Sequence, residues 1–350
     1  MKVVRYHAPG NVQIEDSPEP EPAPGEVKLR VLGCSACGTD LKIYSHGHHR
    51  ISPPRVLGNE IAGEVVRLGK GVTGWAAGDR VQMIGAIPCG RCADCRRGWM
   101  TVCPNQRTMG YDHDGGFAES VIVPASVLAV GGLNRIPPGV GFAEASIAEP
   151  LACVLNGQQL VRVGDGDEVV VVGGGPVGCL HVRLARSLGA TRVFLVERNR
   201  ERLTRSAGLV EPDEAIWTGD GDVAEQVLKL TDGRGADVVI TACASREAQE
   251  QAVRYAARRG RISLFGSLPP GSSMNALDTN IVHYHELAIF GASGASPVQN
   301  TRALELIASG AMTVADLITH RLPLDQFHHA LELIKRGDAL KVTIEPNARI

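Results

Sequence analysis

The segment VVVVGGGPVGCL, residues 169–180, constrains the fold of this chain more than any other stretch. Four valines in a row predict a buried strand, and glycines spaced G-x-G-x-x-G follow before a helix-compatible stretch. The first glycine permits a tight turn, the second lets backbone approach a pyrophosphate, and the third lets helix pack on strand. We therefore predict a dinucleotide site at the helix N-terminus. Its turn residues are Gly173, Gly175, Pro176, Val177 and Gly178.

An acidic residue ends the next predicted strand, RVFLVE. Glu197 lies 19 residues after Gly178, where a carboxylate can accept hydrogen bonds from the adenosine ribose hydroxyls. This position makes NAD the first choice of cofactor. Arg198 and Arg202 follow closely, and an arginine beside the acid could instead hold the 2′-phosphate of NADP. A solvated helix start is the alternative explanation for both arginines.

The chain contains two regions with different patterns of predicted strands and helices. Around the glycine turn, apolar strands alternate with helix-like segments, including REAQEQAVRYAARRG at 246–260, which is typical of a doubly wound α/β domain with a parallel sheet. Residues before about 135 instead read as β-rich, in segments such as EVKLRVLG and EIAGEVVRLG. Pro137 and Pro138 separate the two, and a helix-compatible stretch follows at about 142–159. The tail beyond 294 could complete either domain.

Four of the nine cysteines are crowded into one short segment, PCGRCADCRRGWMTVCP. Four thiolates at the spacing C-x2-C-x2-C-x7-C can enclose one tetrahedral Zn²⁺ with no open position, which indicates a structural zinc site rather than a disulfide framework. An iron–sulfur cluster is the competing interpretation, and a β-rich domain beside a nucleotide fold favours zinc. The predicted ligands are Cys89, Cys92, Cys95 and Cys103.

The composition argues against two kinds of partner. The net charge is −2 and no long Lys/Arg run occurs, so we do not expect the chain to bind nucleic acid. No 18 consecutive residues are apolar and the N-terminus lacks a signal-peptide pattern. We therefore expect a cytoplasmic protein that does not bind membranes.

A second thiol site is predicted around Cys37, in GCSACGTD. Cys34 and Cys37 form C-x-x-C, but a redox motif normally opens a helix in a thioredoxin-like unit, so we favour a metal ligand. Together with the four-cysteine segment, this stretch resembles the zinc-dependent medium-chain dehydrogenase/reductases, in particular the sorbitol and threonine dehydrogenase branch. The resemblance covers essentially the whole chain, because GNE at 58–60 and EPL at 149–151 also resemble motifs of that family.

The resemblance implies a fold, an activity and an assembly. It implies a β-rich GroES-like catalytic domain at 1–153 and 294–350 and a Rossmann domain at 154–293. The implied activity is NAD(P)-dependent hydride transfer between nicotinamide and a small-molecule secondary alcohol or its ketone: a polyol, cyclitol, sugar or amino alcohol. The segment LAIFGASG, residues 287–294, resembles the edge strand through which this family forms homodimers or homotetramers.

The resemblance also implies a catalytic zinc. Its ligands would be Cys37, residue 59, Glu60 and Glu149, with one glutamate bound directly or through water, and Thr39 would pass the hydroxyl proton toward solvent. The family has His where this chain has Asn59. An amide oxygen is a hard, weak donor for zinc, so occupancy of this second zinc site is left open.

Three accounts of Asn59 follow: a substitution that cripples the site, weak zinc binding through Cys37 and the two glutamates, or a natural branch whose chemistry needs no metal. His46, His48 and His49 could supply a replacement ligand, although we expect them on an exposed loop. Two other functions also stay open. One is a zinc-independent NAD(P)H reductase of the same superfamily, and the other is a catalytically silent nucleotide-binding protein.

Overall fold

The structure is a computed structural model that describes residues 1–269 and 271–348. These residues form two compact units. Unit 1 contains Met1–Ala152 and the residues from Gly294 onward, and unit 2 contains Cys153–Ser293. No helix in the described ranges is long and apolar enough to cross a membrane.

Eighteen strands occur in the described residues, and they are numbered in chain order. They are β1 (Lys2–Ala8), β2 (Asn11–Asp16), β3 (Val27–Ala36), β4 (Arg55–Val56), β5 (Glu60–Leu68), β6 (Arg80–Met83), β7 (Ala86–Ile87), β8 (Arg107–Thr108), β9 (Ser120–Val123), β10 (Leu133–Arg135), β11 (Glu168–Val172), β12 (Arg192–Glu197), β13 (Glu214–Trp217), β14 (Ala236–Thr241), β15 (Ala256–Leu264), β16 (Ala288–Gly291), β17 (Ile318–Leu322) and β18 (Lys341–Ile344).

Twelve α-helices accompany these strands in the same residues. They are α1 (Gly38–His46), α2 (Ala93–Arg96), α3 (Ala125–Ala129), α4 (Phe142–Ser146), α5 (Ala148–Leu160), α6 (Pro176–Ser187), α7 (Arg200–Val210), α8 (Val223–Leu230), α9 (Arg246–Gln251), α10 (Thr279–Tyr284), α11 (Pro297–Ala308) and α12 (Phe327–Arg336). The helical stretch predicted at 142–159 is therefore two helices, which meet at Ile147.

Unit 2 is built on one parallel sheet with the strand order β13-β12-β11-β14-β15-β16. All four valines of β11 are buried, as expected for a central strand covered on both faces. The strand order reverses between β11 and β14, and ligands of doubly wound sheets bind beyond the carboxyl ends of the strands at such a point. The predicted α/β class with a doubly wound sheet is confirmed.

The helix predicted over 246–260 is wrong beyond Gln251. Helix α9 ends there, a short 3₁₀ turn follows, and Ala256 already pairs with Ala236 of β14. Ala256 and Ala257 are buried in the sheet, so burial and ladder hydrogen bonds outweigh their high helix propensity. The pairing is irregular between Ala236 and Val238, and Arg259 has a φ of 61°.

Unit 1 is mainly β-structure around the long strand β3. Its largest sheet has the order β10-β6-β5-β3-β18-β17, and β9 also pairs with β3. Strand β3 is antiparallel to β5, β9 and β18. A three-stranded sheet of β2, β1 and β4 and the hairpin-like pair β7 and β8 complete the β-structure described in this unit. The tail beyond 294 thus belongs to unit 1, where β17 and β18 extend its largest sheet.

Helix α12 packs its apolar side on the core of unit 1. Phe327, Ala330 and Leu331 are buried at helical spacing, whereas His328 is exposed. The ring of Phe327 lies 4.8 Å from the ring of Phe117, centroid to centroid, and neither side chain is accessible to solvent. Phe117 lies between β8 and β9, in the N-terminal part of unit 1. Its contact with Phe327 therefore joins the tail beyond residue 294 to the rest of the unit.

Replacing Phe327 by Ala should lower the free energy of unfolding by about 3–5 kcal/mol, because it removes a fully buried ring and leaves a cavity. The neighbouring His328→Ala is the matched control and should change stability by less than about 0.5 kcal/mol. Denaturant unfolding followed by circular dichroism measures both. Equal stability of the two variants would contradict this description of the core.

Candidate active site

The turn between β11 and α6 has the backbone that the glycine spacing predicts. Gly173 has a φ of 116°, and a Cβ at Gly178 would lie 1.8 Å from the Gly173 carbonyl oxygen, so both positions require glycine. Gly175 is the N-cap of α6 and differs from them, because a Cβ there would meet nothing within 4 Å. The space in front of the helix N-terminus is therefore open, as a bound pyrophosphate requires.

A cavity of about 590 Å³ in unit 2 begins at this turn, and Gly173, Gly175, Glu197, Arg198 and Arg202 are among its lining residues. Glu197 is 5% exposed. Its Oε2 accepts a hydrogen bond from the Gly174 N–H at 2.8 Å, and its Oε1 accepts one from the Asn199 N–H at 2.8 Å. Backbone donors thus fix this carboxylate at the carboxyl end of β12.

The two arginines near Glu197 make different contacts. Arg202 lies on α7, and its guanidinium Nη1 is 3.8 Å from Glu197 Oε2. The Arg198 carbonyl accepts a hydrogen bond from the indole N–H of Trp217. Because Glu197 already partly neutralises Arg202, this end of the cavity is not a strongly cationic surface.

The four cysteines of the short segment form a compact thiol cluster in unit 1. Their Sγ atoms all lie within 4.8 Å of one another, and those of Cys92 and Cys103 are 3.8 Å apart. Tetrahedral zinc with Zn–S bonds of about 2.3 Å separates its sulfur ligands by about 3.8 Å, so the cluster fits this metal. Hydrogen bonds from the backbone N–H groups of Arg91 and Cys92 lower the pKa of Cys89 to about 6, which favours the thiolate that a metal needs.

Cys37 is the residue that precedes α1. Its backbone N–H donates to Asp40 Oδ2 at 2.8 Å, so Asp40, which is buried, shapes the start of the helix. Cys37 itself is partly exposed and Thr39, on the first turn, is exposed. Cys34, three residues earlier, is fully buried in β3, where its Sγ faces the backbone of Gly58 and Gly116. The C-x-x-C pair therefore separates into one thiol in the core at β3 and one thiol at the start of α1.

Glu60 is held by a lysine from the far end of the chain. Lys341 Nζ donates to Glu60 Oε1 at 2.7 Å and forms an ion pair with Oε2 at 2.6 Å, so the ammonium contacts both carboxylate oxygens. The two side chains are only 4% and 3% exposed. Burying both charges is unfavourable unless they stay paired.

Asn59 and Glu149 meet on another side of the same group. A Cβ at Gly85 would lie 3.0 Å from Glu149 Oε1 and 3.2 Å from Asn59 Nδ2, so both side chains reach the surface of this one glycine. Glu149 belongs to the first turn of α5. A side chain at position 85 would therefore crowd both the amide and the carboxylate.

The acids of this group are strongly perturbed by one another and by burial. Burial raises the pKa of Glu60 to about 7 against the opposing charge of Lys341. Burial and the charge of Glu60 raise the pKa of Glu149 to about 8. Burial, followed by the charges of Asp40 and Glu60, raises the pKa of the Cys37 thiol well above its usual value. Burial is the first cause of all three shifts, and the neighbouring acids add to the shifts of Cys37 and Glu149, so these groups hold their protons more tightly than the same groups in water.

A bound divalent cation would favour the ionised forms of these acids. The thiol of Cys37 and the carboxylates of Glu60 and Glu149 are chemically competent ligands, whereas the Asn59 amide is a weak donor for zinc. The ligand atoms are not drawn together, however. Within the described ranges, the four-cysteine cluster is the only set of three or more Cys, His, Asp or Glu ligand atoms all within 4.8 Å of one another.

The histidines that follow α1 do not join such a cluster. The ring centroids of His48 and His49 are 4.6 Å apart, and those of His48 and Tyr111 are 4.9 Å apart in an edge-to-face arrangement. His49 lies exposed after α1 as expected, whereas His46 is the last residue of α1 and His48 is half-buried. This packing gives no support to a replacement ligand for Asn59.

Sequence reasoning missed two residues of this group, Lys341 and Tyr111. The charges of Asp40 and Cys37 add to burial in raising the pKa of Tyr111, which places its hydroxyl in the same electrostatic neighbourhood. The available signal for Lys341 was a lysine at the first position of the short strand β18. That signal does not identify Glu60 as its partner.

The chain is similar to known proteins over most of its length. Residues 23–131 match the alcohol dehydrogenase GroES-like domain, and residues 176–309 match the family described as zinc-binding dehydrogenase. The sorbitol dehydrogenase of Halalkalibacterium halodurans is 32% identical over 345 residues, which cover 98% of each chain. The L-threonine 3-dehydrogenase of Pyrococcus horikoshii is 35% identical over 332 residues and 92% of each chain.

A solved structure is similar over nearly the whole chain. It is a Sinorhizobium meliloti protein described as a zinc-binding dehydrogenase and bound to NADP. The TM-score is 0.91, the sequence identity is 32%, and the match covers 99% of both chains.

Gly175→Ala should fold normally and lose affinity for NADH by at least about tenfold. Its φ of −76° suits alanine, but the added methyl group occupies the space that a pyrophosphate needs. Gly208→Ala, on an exposed position of α7 with nothing within 4 Å, is the matched control and should bind NADH normally. Fluorescence titration measures affinity and thermal unfolding measures folding. Unchanged NADH binding by Gly175→Ala would rule out this turn as the pyrophosphate site.

Proposed function

The chain belongs to the zinc-binding dehydrogenase family, and we propose that it oxidises a secondary alcohol that carries neighbouring polar groups. It is an NAD(P)-dependent oxidoreductase acting on CH–OH groups. The observation that carries the proposal is the buried acid–thiol group of Cys37, Glu60 and Glu149 in a chain that also has an open glycine turn. Polyols, cyclitols, sugars and amino alcohols are the proposed substrate class, in line with the relatives named above.

We assign the two parts of the reaction to different parts of the chain. Residues 154–293 would bind the nicotinamide cofactor through the turn at Gly173–Gly178. Residues 1–153 and 294–350 would carry the catalytic groups and, through Cys89, Cys92, Cys95 and Cys103, a structural zinc.

NAD is the proposed cofactor in preference to NADP. The buried carboxylate of Glu197 is fixed by two backbone donors at the carboxyl end of β12, where it can accept hydrogen bonds from ribose hydroxyls and would repel a 2′-phosphate. Arg198 and Arg202 would be left to the cavity rim. The Sinorhizobium meliloti protein binds NADP, so titrating this chain with both reduced cofactors decides between them.

Cys37, Glu60, Glu149 and the weak donor Asn59 would hold a catalytic zinc. When bound, the metal supplies a Lewis acid that lowers the pKa of an alcohol hydroxyl, so that hydride can pass to the nicotinamide. Thr39 lies exposed on the first turn of α1, where its hydroxyl would accept the alcohol proton and pass it to water. Asp40 keeps that turn in place through the Cys37 N–H.

Two other functions make different predictions. A zinc-independent reductase has no need for a thiol and two acids in one buried group, yet this chain keeps all three. A catalytically silent protein would bind NADH normally and oxidise no alcohol in a broad panel. The metal content of the protein separates these alternatives from a zinc enzyme.

Asn59→His should raise both the zinc content and the turnover of the protein, by at least about tenfold in turnover, because imidazole is a far better zinc ligand than an amide. Zinc per chain is measured by atomic emission after dialysis, and turnover is measured with NAD⁺ across polyols and amino alcohols. Asn11→His, on an exposed strand position, is the control and should change neither. No gain in zinc and no gain in turnover would overturn a catalytic zinc site at residue 59.

We also propose that the protein is cytoplasmic and assembles as a homodimer or homotetramer through β16. This strand lies at the edge of the unit 2 sheet, and Ile289 is 36% exposed on it. An unpaired apolar edge strand favours pairing with a second copy.

Size-exclusion chromatography should give a species well above the monomer mass of 37.1 kDa. Ile289→Lys should shift the protein toward the monomer, because a lysine at an edge opposes strand pairing. Val298→Lys, at a 75% exposed position of α11, should leave the assembly unchanged. A monomeric wild-type protein would contradict assembly through β16.

A further inference from the structure

The ion pair between Lys341 and Glu60 lies inside the proposed metal site rather than on the surface. The two side chains are 4% and 3% exposed, whereas Arg30 and Glu64, a pair that joins β3 to β5, are 48% and 29% exposed. Surface pairs contribute little to stability and are readily exchanged with water. Glu60 has no such exchange available, so its carboxylate stays ionised only beside Lys341 or another buried cation.

The strand register explains how these two residues meet although they are 281 positions apart. Glu60 is paired with Ser35 across β5 and β3, and Ser35 is paired with Thr343 across β3 and β18. Paired residues share a face of the sheet, and Lys341 shares the face of Thr343 because it lies two residues away. The lysine therefore reaches diagonally across β3 to the glutamate.

Hydroxyl groups lock this register. Ser35 Oγ lies 2.9 Å from Thr343 Oγ1 and 2.6 Å from Ser146 Oγ, and all three residues are fully buried. Ser146 in turn donates to the Ala143 carbonyl in α4. The position of Lys341 is thus fixed by a satisfied polar network rather than by the flexibility of its own side chain.

Lys341 also acts on the other acidic groups of the site. Its charge lowers the pKa values of Cys37, Asp40 and Glu149 as well as that of Glu60. A divalent cation bound by Cys37 and the glutamates would interact with the same acidic groups as the Lys341 ammonium. Because two like charges oppose each other most strongly in a buried site, the ammonium and the metal are competitors.

We infer that Lys341 is a positioning residue that competes with the metal for Glu60 and thereby sets the zinc affinity of this site. The inference rests on the proposed function. With an amide at position 59 the site needs Glu60 as a ligand, yet in the structure Glu60 is bound to Lys341. When no metal is bound, the lysine holds Glu60 in place and neutralises its charge. When a metal binds, the lysine lowers the affinity of the site for it.

Chelator competition on the full-length protein measures both zinc sites of each variant. Lys341→Met removes the charge at similar length, and it should bind the second zinc at least about tenfold more tightly, since one unit charge close to a divalent ion outweighs a tenfold change in affinity even at an effective dielectric constant of about 20. Lys341→Arg keeps the charge and should stay within about threefold of the wild type. The four-cysteine zinc serves as the internal reference, because its affinity should not change.

Two further variants keep the test decisive. Lys341→Gln retains a donor for Glu60 without the charge, and it should show the same gain if Lys341→Met does not fold. Lys341→Met combined with Glu60→Gln should lose the gain, because the carboxylate ligand is gone. A lysine with a merely structural role predicts a lower melting temperature and no change in zinc affinity.

The outcomes separate this inference from the proposed function. Unchanged or weaker binding of the second zinc by both folded neutral variants, while Asn59→His binds it, would overturn the competition by Lys341. Failure of every variant, including Asn59→His, to bind a second zinc would instead overturn the catalytic zinc site itself.

Discussion

The pairing of β3 with β5 and β18 is the constraint on which the candidate active site depends. It aligns Ser35 with Glu60 on one side and with Thr343 on the other. A slip of one residue in either ladder would turn the polar side chains to the opposite face of the sheet. The buried hydroxyls of Ser35, Ser146 and Thr343 make such a slip costly, because each would lose its partner.

This arrangement concentrates negative charge where water is scarce. Cys37, Asp40, Glu60 and Glu149 influence one another, and the lysine on β18 offsets only part of their charge. Perturbed groups of this kind gather at sites of chemistry, because a fold gains no stability from crowding acids together. The amide of Asn59 carries no charge, so the pattern of acids and lysine around it does not depend on residue 59.

The sequence predicted those parts of the molecule that depend on local spacing. The glycine turn, the four-cysteine cluster and the strands that flank them follow from residues within about twenty positions of each other, and their backbone needs are met by few other residue types. The helix expected at 246–260 failed because β14 offered Ala256 and Ala257 a better partner than their own helix.

Lys341 shows the limit of sequence reasoning more clearly. Its partner lies 281 residues earlier, and neither a motif nor a periodicity relates the two positions. Only the order of three strands in a sheet brings them together. The roles of individual ligands likewise depend on where side chains converge, which a pattern of residue types does not record.

The distance along the chain between Glu60 and Lys341 also has a consequence for biosynthesis. Unit 2 is continuous from Cys153 to Ser293, whereas unit 1 needs strands from both sides of it. A growing polypeptide can therefore complete its parallel sheet while Glu60 is still without its ammonium. Glu60 remains protonated or hydrated until β18 has left the ribosome. The interior of unit 1 around Glu60 can therefore close only after this last strand has been synthesised.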